Sequence, residues 1–334
     1  MWIDSIPKAE LHCHLDGSVP VDILRKLCDK ELVRIPEDQE AFCRMVQAGE
    51  DCQSLAEYLK SFNIPLSCLK SEEAFYLAAY HTACAAAGER VRYMEIRFAP
   101  LLSVSEKLSP ESVIEAAAAG LMKAETEHEI TARLILCGMR QFTEEMNLRN
   151  LELAKAYMGR GVVGVDLAGD EAAFPNELFR EYFQRARAAE IPFTIHSGEC
   201  GSCRNIELAV EYGAARIGHG IAMRGNPAVK ELCRRNRVGV EMCPRSNLQT
   251  KAVARMEEYP LREFLSGGLL VSVNTDNRTV TGTTVSRELG LLAERFGITK
   301  EEGKAVMYNA MDTAFAEESI KQEIRQEITR WDGE

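Results

Sequence analysis

The segment AELHCHLDGS, residues 9–18, places His12 and His14 on either side of Cys13 in an apolar, strand-like run. Successive side chains of a strand point to opposite faces, so both imidazoles are predicted to lie on one face. Buried imidazole nitrogens need polar partners, and one shared cation would satisfy both rings. Two partly exposed histidines fit the same ten residues, so this segment alone leaves both interpretations open.

Similar polar clusters follow other strand-like segments, and together these clusters contain four of the six histidines. They are His12-Cys-His14-Leu-Asp16, Asp166-Leu-Ala-Gly169-Asp-Glu, His196-Ser-Gly-Glu199, Gly218-His219-Gly220 and Asn274-Thr-Asp276-Asn277. The imidazoles of His12, His14 and His196 with the Asp276 carboxylate form a donor set that suits one zinc ion with an open position for water. Iron, manganese or cobalt could use the same donors.

Glu199 and His219 complete a predicted hydrolytic site without belonging to the ligand set. Glu199 lies three residues after His196, and a carboxyl group in a poorly solvated pocket can donate a proton to a substrate nitrogen. His219 can orient an attacking hydroxide and stabilise the charge that develops at the attacked atom. The residue types therefore predict metal-assisted hydrolysis.

The elements that must position these residues read as alternating strands and helices. Strands are predicted at about residues 9–14, 92–98, 131–137, 162–167, 191–196, 215–218, 237–243 and 270–275. Continuous apolar runs such as VVGVDLA are typical of parallel strands covered on both faces. Helix starts are indicated by Ser109 before Pro110 and by a capping box from Thr299 to Glu302. Eight such units predict an α/β fold, a (β/α)8 TIM barrel, whose functional residues gather at the carboxyl ends of the strands.

The connection from residue 20 to about 90 is too long for one helix, and extra helices over the barrel mouth are predicted there. Within it Leu55, Tyr58, Leu59 and Phe62 recur at helical spacing, as a stripe that faces the core or as a hydrophobic lid. No repeat or linker is visible, so residues 1–334 are predicted to form a single domain. The charged segment from Glu317 onward reads as a helix with a solvated face.

Composition narrows the function classes. A formal net charge of −11 from 40 basic and 51 acidic residues disfavours nucleic-acid and anionic-membrane partners. Eleven scattered cysteines suit free thiols in a reducing compartment, and the first residues show no secretion signal, so a soluble cytoplasmic protein is expected. Cys200 and Cys203 form a CxxC motif, interpreted as an incidental reduced pair, with a labile disulfide or adventitious metal site as the alternative.

Six motifs, IPKAELHCHLDGS, VDLAGDE, HSGE, RIGHG, CPRSN and NTDN, resemble in order and spacing those of the adenosine deaminases of the metal-dependent amidohydrolase superfamily. The resemblance extends from about Pro7 to Phe315. It implies hydrolysis of adenosine and 2′-deoxyadenosine to inosine and deoxyinosine with release of ammonia. It also implies one Zn²⁺ ion held by His12, His14, His196 and Asp276.

The same resemblance implies a role for each site residue. Glu199 protonates N1 of the purine, His219 orients the attacking hydroxide, and Asp276 also accepts a proton from the water. The substrate contacts implied are Gly169 to purine N3, Asp16 to the ribose 5′-hydroxyl, Asn277 to purine N7, and the stripe of Leu55, Tyr58, Leu59 and Phe62 as a hydrophobic gate.

Asn277 departs from the animal enzymes, which carry a second aspartate at this position. Purine N7 only accepts hydrogen bonds, and an asparagine amide donates at any pH, so purine binding remains compatible. The Asp16 carboxylate would repel a 5′-phosphate, which favours the nucleoside over a nucleotide. A 5′-modified adenosine, adenine, another amidohydrolase substrate and a purine-binding protein without catalysis stay as alternatives. Oligomeric state is not indicated by the sequence.

Overall fold

Eight parallel strands line a barrel in the computed structural model, which describes residues 2–49 and 51–333 except for the side chain of Leu55. The strands are β1 Lys8–His14, β2 Val91–Phe98, β3 Thr131–Met139, β4 Val162–Ala168, β5 Thr194–Ser197, β6 Arg216–His219, β7 Gly239–Met242 and β8 Leu270–Val273. They pair in parallel register from β1 to β4 and from β5 to β8. The predicted (β/α)8 barrel is confirmed.

The helices surround this barrel and also form the connection between its first two strands. They are α1 Trp2–Ser5, α2 Val21–Lys30, α3 Gln39–Val46, α4 Leu55–Tyr58, α5 Asn63–Cys68, α6 Glu72–Gly88, α7 Pro110–Glu127, α8 Glu144–Tyr157, α9 Arg180–Ala188, α10 Cys203–Tyr212, α11 Pro227–Arg235, α12 Pro244–Gln249, α13 Leu261–Ser266, α14 Val285–Phe296, α15 Lys300–Thr313 and α16 Glu318–Arg330. Short 3-10 turns lie at Leu59–Phe62, Pro100–Leu102, Asn176–Phe179, Ile221–Met223 and Met256–Glu258. The Ser109 cap and the Thr299 capping box are both present.

Two seams close the barrel with backbone hydrogen bonds. Between β4 and β5, the Val165 N–H donates to the Pro192 carbonyl at 3.0 Å. Pro192 has no N–H to donate, so β5 becomes regular only at Thr194 and is shorter than the predicted 191–196. Between β8 and β1, His14 N–H donates to Asp276 O at 2.7 Å, and Asp276 N–H donates to His12 O at 2.9 Å. The second seam thus fixes three predicted metal ligands relative to one another.

The connection between β1 and β2 contains α2 to α6, which confirms the predicted extra helices. Its residues 55–62 differ from the predicted single helix, since α4 tightens into a 3-10 turn at Leu59 and the i, i+4 spacing no longer repeats on one face. Tyr58 is buried, whereas 52% of Leu59 is exposed. The stripe is therefore not one continuous buried face.

The C-terminal helix α16 is more than the solvated helix expected from its charges. Ile324 and Ile328 are buried in the main hydrophobic core, as is Trp331 just after the helix. One face of α16 therefore packs on the barrel while its charged residues face outward. Within residues 2–49 and 51–333, no helix combines the length and apolar character needed to cross a membrane.

A buried acid links α14 to the loop after β7 and predicts a pH dependence of stability. Glu288 accepts hydrogen bonds from Thr283 Oγ1 at 2.5 Å and from the Arg245 backbone N–H at 3.1 Å. Burial raises the pKa of Glu288 to about 7, despite these contacts and the nearby Arg245 charge. Because its pKa is higher in the folded than in the unfolded chain, Glu288 favours folding most at low pH. That contribution is lost as pH rises towards 7.

We predict that the stability advantage of wild type over Glu288→Gln falls by up to about 3 kcal/mol between pH 4.5 and 8. Glutamine keeps the shape of the protonated acid but does not titrate. Urea unfolding at several pH values measures the difference, and Glu294→Gln at an exposed position of α14 is the control. A difference between wild type and Glu288→Gln that is constant with pH would contradict the prediction.

Candidate active site

The four predicted metal ligands converge at the carboxyl ends of the strands. Asp276 Oδ1 lies 3.3 Å from His12 Nε2 and 3.4 Å from His14 Nε2, and the Nε2 atoms of His14 and His196 are 3.2 Å apart. All four side chains offer ligand atoms within 4.8 Å of one another. Tetrahedral ligands with metal bonds of about 2.1 Å are separated by about 3.4 Å. His12 Nε2 is buried and has no hydrogen-bond partner. The donor set therefore fits one divalent ion.

Buried carboxylates hold two of these imidazoles by their other nitrogens. Glu241 Oε2 lies 2.7 Å from His12 Nδ1, and Asp166 Oδ2 lies 2.9 Å from His196 Nδ1. His12 Nδ1 forms a hydrogen bond with its carboxylate, whereas His196 Nδ1 is only in close contact with Asp166. With Nδ1 next to a carboxylate, each ring presents Nε2 to the centre of the cluster. The side chain of Asp276 is held as well, because Ser246 Oγ donates to its Oδ2 at 2.5 Å.

A chain of buried ion pairs extends from these carboxylates along the barrel. Arg97 bridges Asp166 and Glu241, with nitrogen–oxygen distances of 2.9 Å to each. Arg216 pairs with Glu241 at 2.5 Å and also with Glu95. With Asp276, the cluster contains four carboxylates and two guanidinium groups, which leaves a net charge of −2 when the histidines are neutral. A dication would balance that charge.

The surroundings of His14 and Asp276 shift their pKa values towards the deprotonated forms that bind a cation. Burial is the main cause that lowers the pKa of the His14 imidazole well below its usual value, so its lone pair is available. For Asp276, burial alone would raise the pKa, but the contact with His12 and the nearby imidazoles hold the pKa well below its usual range. Asp276 is therefore a carboxylate.

Glu199 and His219 lie next to each other and outside the ligand set. His219 Nε2 is 3.7 Å from Glu199 Oε2, and Thr250 Oγ1 donates to Glu199 Oε1 at 3.2 Å. The Asn247 amide donates to His219 Nδ1 at 3.0 Å, which places the imidazole proton on Nε2, towards Glu199. The pair can therefore donate protons to a molecule bound beside the cluster.

The local backbone conformation fixes the positions of His219, Asp276 and Glu199. His219 has φ +66° and Asp276 has φ +62°, in the left-handed region that residues other than glycine rarely adopt. The loop that carries Glu199 is anchored by Glu171, which accepts from the backbone N–H groups of Gly198 at 2.6 Å and Cys200 at 3.0 Å. The site is thus held from several strands at once.

The predicted substrate contacts fall around the same rim. Asp16 has a buried Oδ1 without a hydrogen-bond partner, and burial raises its pKa to about 6. Gly169 follows β4 with φ +111°, where a side chain would be strained. Asn277 Nδ2 donates to Tyr58 Oη at 2.8 Å, so the extra helices reach the rim.

The other members of the predicted gate differ in position. The Phe62 ring lies 6.0 Å from the Tyr58 ring, and Leu59 is half-exposed on the surface. The predicted contact of Leu55 concerns a side chain outside the described part of the structure. As roles in substrate binding, all of these assignments stay predictions.

Four residues that position the site are not singled out by the sequence: Arg97, Glu241, Ser246 and Asn247. Asp166 is predicted only as part of a polar cluster after a strand, without a role. A weak signal exists for Arg97 and Glu241, since fully buried charges within apolar strands are rare unless they are paired. Ser246 and Asn247 lie in the CPRSN motif, for which the sequence alone indicates no role. Their hydrogen bonds to Asp276 and His219 supply one.

Cys200 and Cys203 of the CxxC motif follow Glu199 and do not form a disulfide bond with each other. Cys200 is exposed, and Cys203 Sγ donates to the Ala222 carbonyl at 2.9 Å. The eleven cysteines are all free thiols, and each lies in the described ranges 2–49 and 51–333.

A (β/α)8 barrel with three imidazoles and a carboxylate around one point defines a metal-dependent hydrolase of the amidohydrolase type. The family model described as adenosine deaminase matches residues 7–331, and the chain belongs to the adenosine deaminase family. A protein named adenosine deaminase from Enterococcus faecalis is 39% identical over 326 residues, covering 98% of this chain and 97% of the relative.

Solved structures agree with the fold, and one of them contains zinc. An adenine deaminase from Arthrobacter aurescens superposes with a TM-score of 0.90 at 26% identity, covering 98% of this chain and 99% of that one. An amidohydrolase from Burkholderia ambifaria with bound Zn gives a TM-score of 0.88 at 25% identity, covering 98% of this chain and 91% of that one.

We predict that His12→Ala abolishes retention of a divalent ion while His128→Ala leaves it unchanged. His12 supplies one of four donor atoms, so its loss leaves an incomplete ligand set. His128 is exposed and distant in sequence from every ligand. Elemental analysis after dialysis measures the ion per chain. Equal retention by both variants would contradict the assignment of His12.

Proposed function

We propose that this chain catalyses the hydrolytic deamination of adenosine and 2′-deoxyadenosine, converting nucleoside and water into inosine or deoxyinosine and ammonia. The observation that carries the proposal is the 3.7 Å pairing of Glu199 and His219 beside the four-ligand cluster. A metal site alone would suit many hydrolases. An acid and an imidazole next to it also provide a proton donor for a ring nitrogen and a group that orients water.

Zinc is the ion we propose, held by His12, His14, His196 and Asp276, with one ion per chain. Three imidazole nitrogens and one carboxylate oxygen at these separations suit its small coordination sphere. When bound, the ion supplies an activated water near neutral pH.

The chain's own residues then divide the remaining work. Glu199 in its protonated form donates to purine N1, which makes C6 more electrophilic. His219 directs Nε2–H towards the attacking oxygen, and Asp276 accepts a proton from the water. Asp276 returns its proton to the exocyclic nitrogen, and ammonia leaves as the C6–N bond breaks. The C6 hydroxyl gives its proton back to Glu199 as the carbonyl of the product forms.

Substrate binding follows from the polar atoms around the rim. We assign Asp16 to the ribose 5′-hydroxyl, because its buried Oδ1 has no partner and a hydroxyl could donate to it. Gly169 contacts purine N3 through its backbone, and Asn277 donates to N7. Leu55, Tyr58, Leu59 and Phe62 belong to the segment that we propose closes over the base.

We further propose that residues 1–334 act as one domain in the cytoplasm, with no nucleic-acid or membrane partner. A single large hydrophobic cluster runs from Ile3 to Trp331. Free thiols suit a reducing compartment.

Adenine is the second candidate substrate, favoured by the likeness to the Arthrobacter aurescens adenine deaminase. The test follows the absorbance decrease near 265 nm with adenosine, 2′-deoxyadenosine, AMP and adenine, before and after chelation. We expect turnover of the two nucleosides that chelation removes and zinc restores. Turnover of adenine or AMP alone would overturn the nucleoside assignment.

We predict that Glu199→Gln lowers kcat by at least about a hundredfold while nucleoside and metal binding persist. An amide keeps the size of the side chain but cannot deliver the N1 proton. Steady-state kinetics, nucleoside titration and metal analysis give the three readouts. The control is Glu207→Gln on α10. Near-normal kcat in Glu199→Gln would remove Glu199 from its assigned role.

A further inference from the structure

The hydroxyl of Tyr58 connects the helices between β1 and β2 to the rim of the barrel. Tyr58 is 2% exposed and forms a small apolar cluster with Cys52 and Val280, separate from the main core. Its Oη accepts a hydrogen bond from Asn277 Nδ2 at 2.8 Å and lies 2.8 Å from Thr281 Oγ1. With its lone pair turned to the amide, the hydroxyl can give its own proton to Thr281.

Asn277 is confined on its other side as well. Its Oδ1 is buried without a hydrogen-bond partner, and it packs where a side chain on Gly17 would have to be. A Cβ at Gly17 would lie 2.0 Å from that oxygen, so only glycine admits the amide in this position. The amide therefore has one oxygen held against backbone and one nitrogen held by Tyr58.

This arrangement leaves a directed donor next to the metal ligands. An amide nitrogen carries two hydrogens, and Tyr58 takes one of them. The second stays on a side chain that is 3% exposed and directly follows Asp276 in the chain. A ring nitrogen with a lone pair, such as purine N7, is the chemistry that fits such a donor.

We infer that Tyr58 is a positioning residue for substrate recognition, whose hydroxyl orients the Asn277 amide so that its free N–H meets N7 of the bound nucleoside. The inference rests on the proposed function. It adds Tyr58, a residue of α4 that acts on the substrate through the side chain of Asn277. Phe62 shares the same apolar surroundings but has no hydroxyl, so it cannot do this.

The experiment compares adenosine with 7-deazaadenosine, in which C–H replaces N7, on wild type and Tyr58→Phe. Losing one buried hydrogen bond and its geometry is expected to lower kcat/KM for adenosine about fivefold to tenfold, mainly through KM. For 7-deazaadenosine the loss should stay below about twofold, because the bond to N7 is already missing. Inhibition constants provide the same comparison if the analogue is not turned over.

Two further variants separate positioning from a structural effect. In an Asn277→Ala background, Tyr58→Phe should cause no further loss, since the amide it orients is gone. Tyr80→Phe, whose hydroxyl contacts Glu127 on the surface, should match wild type on both substrates. Metal content and thermal midpoint are measured for each variant.

Wild-type turnover of adenosine tests the proposed function within the same experiment. With that turnover intact, equal losses on adenosine and 7-deazaadenosine would overturn the role of Tyr58 alone. So would an additional loss from Tyr58→Phe in the Asn277→Ala background. A loss confined to adenosine and to proteins that retain Asn277 supports it.

Discussion

The buried charge around the barrel axis is the constraint on which the site depends. Asp276, Asp166, Glu241 and Glu95 are buried inside the protein, and Arg97 and Arg216 form ion pairs with the last three of them. Burying carboxylates is costly unless they are paired, so a net charge of −2 next to three imidazole nitrogens calls for a dication. Ion binding and the integrity of the barrel core are therefore linked.

The same cluster explains why the ligands need no flexible loop to assemble. The backbone bonds between β8 and β1 set His12 and His14 against Asp276, and Glu241 and Asp166 fix the rings of His12 and His196. Arg97 joins the two carboxylates, so two histidines from strands on opposite parts of the sheet are held by one guanidinium group. Precision at the rim thus comes from polar packing inside the barrel.

The eight strands and the metal ligands could be predicted from the sequence, because the patterns that indicate them lie within short segments. Strand periodicity located His12 and His14, and apolar runs located the eight strands. The partners of the ligands could not be predicted, because pairing between Arg97, Asp166 and Glu241 depends on contacts across the barrel, 69 and 144 residues apart in sequence. The 3-10 turn at Leu59 was missed for a related reason, since packing against the loop after β8 outweighs local helical spacing.

Anomalous diffraction at the zinc edge, on crystals of the purified protein, tests the central claim most directly. The account predicts one strong peak within coordination distance of the Nε2 atoms of His12, His14 and His196 and of an Asp276 carboxylate oxygen. A protein with full deaminase activity and no metal peak at this point, at the zinc edge or at any other metal edge, would contradict it.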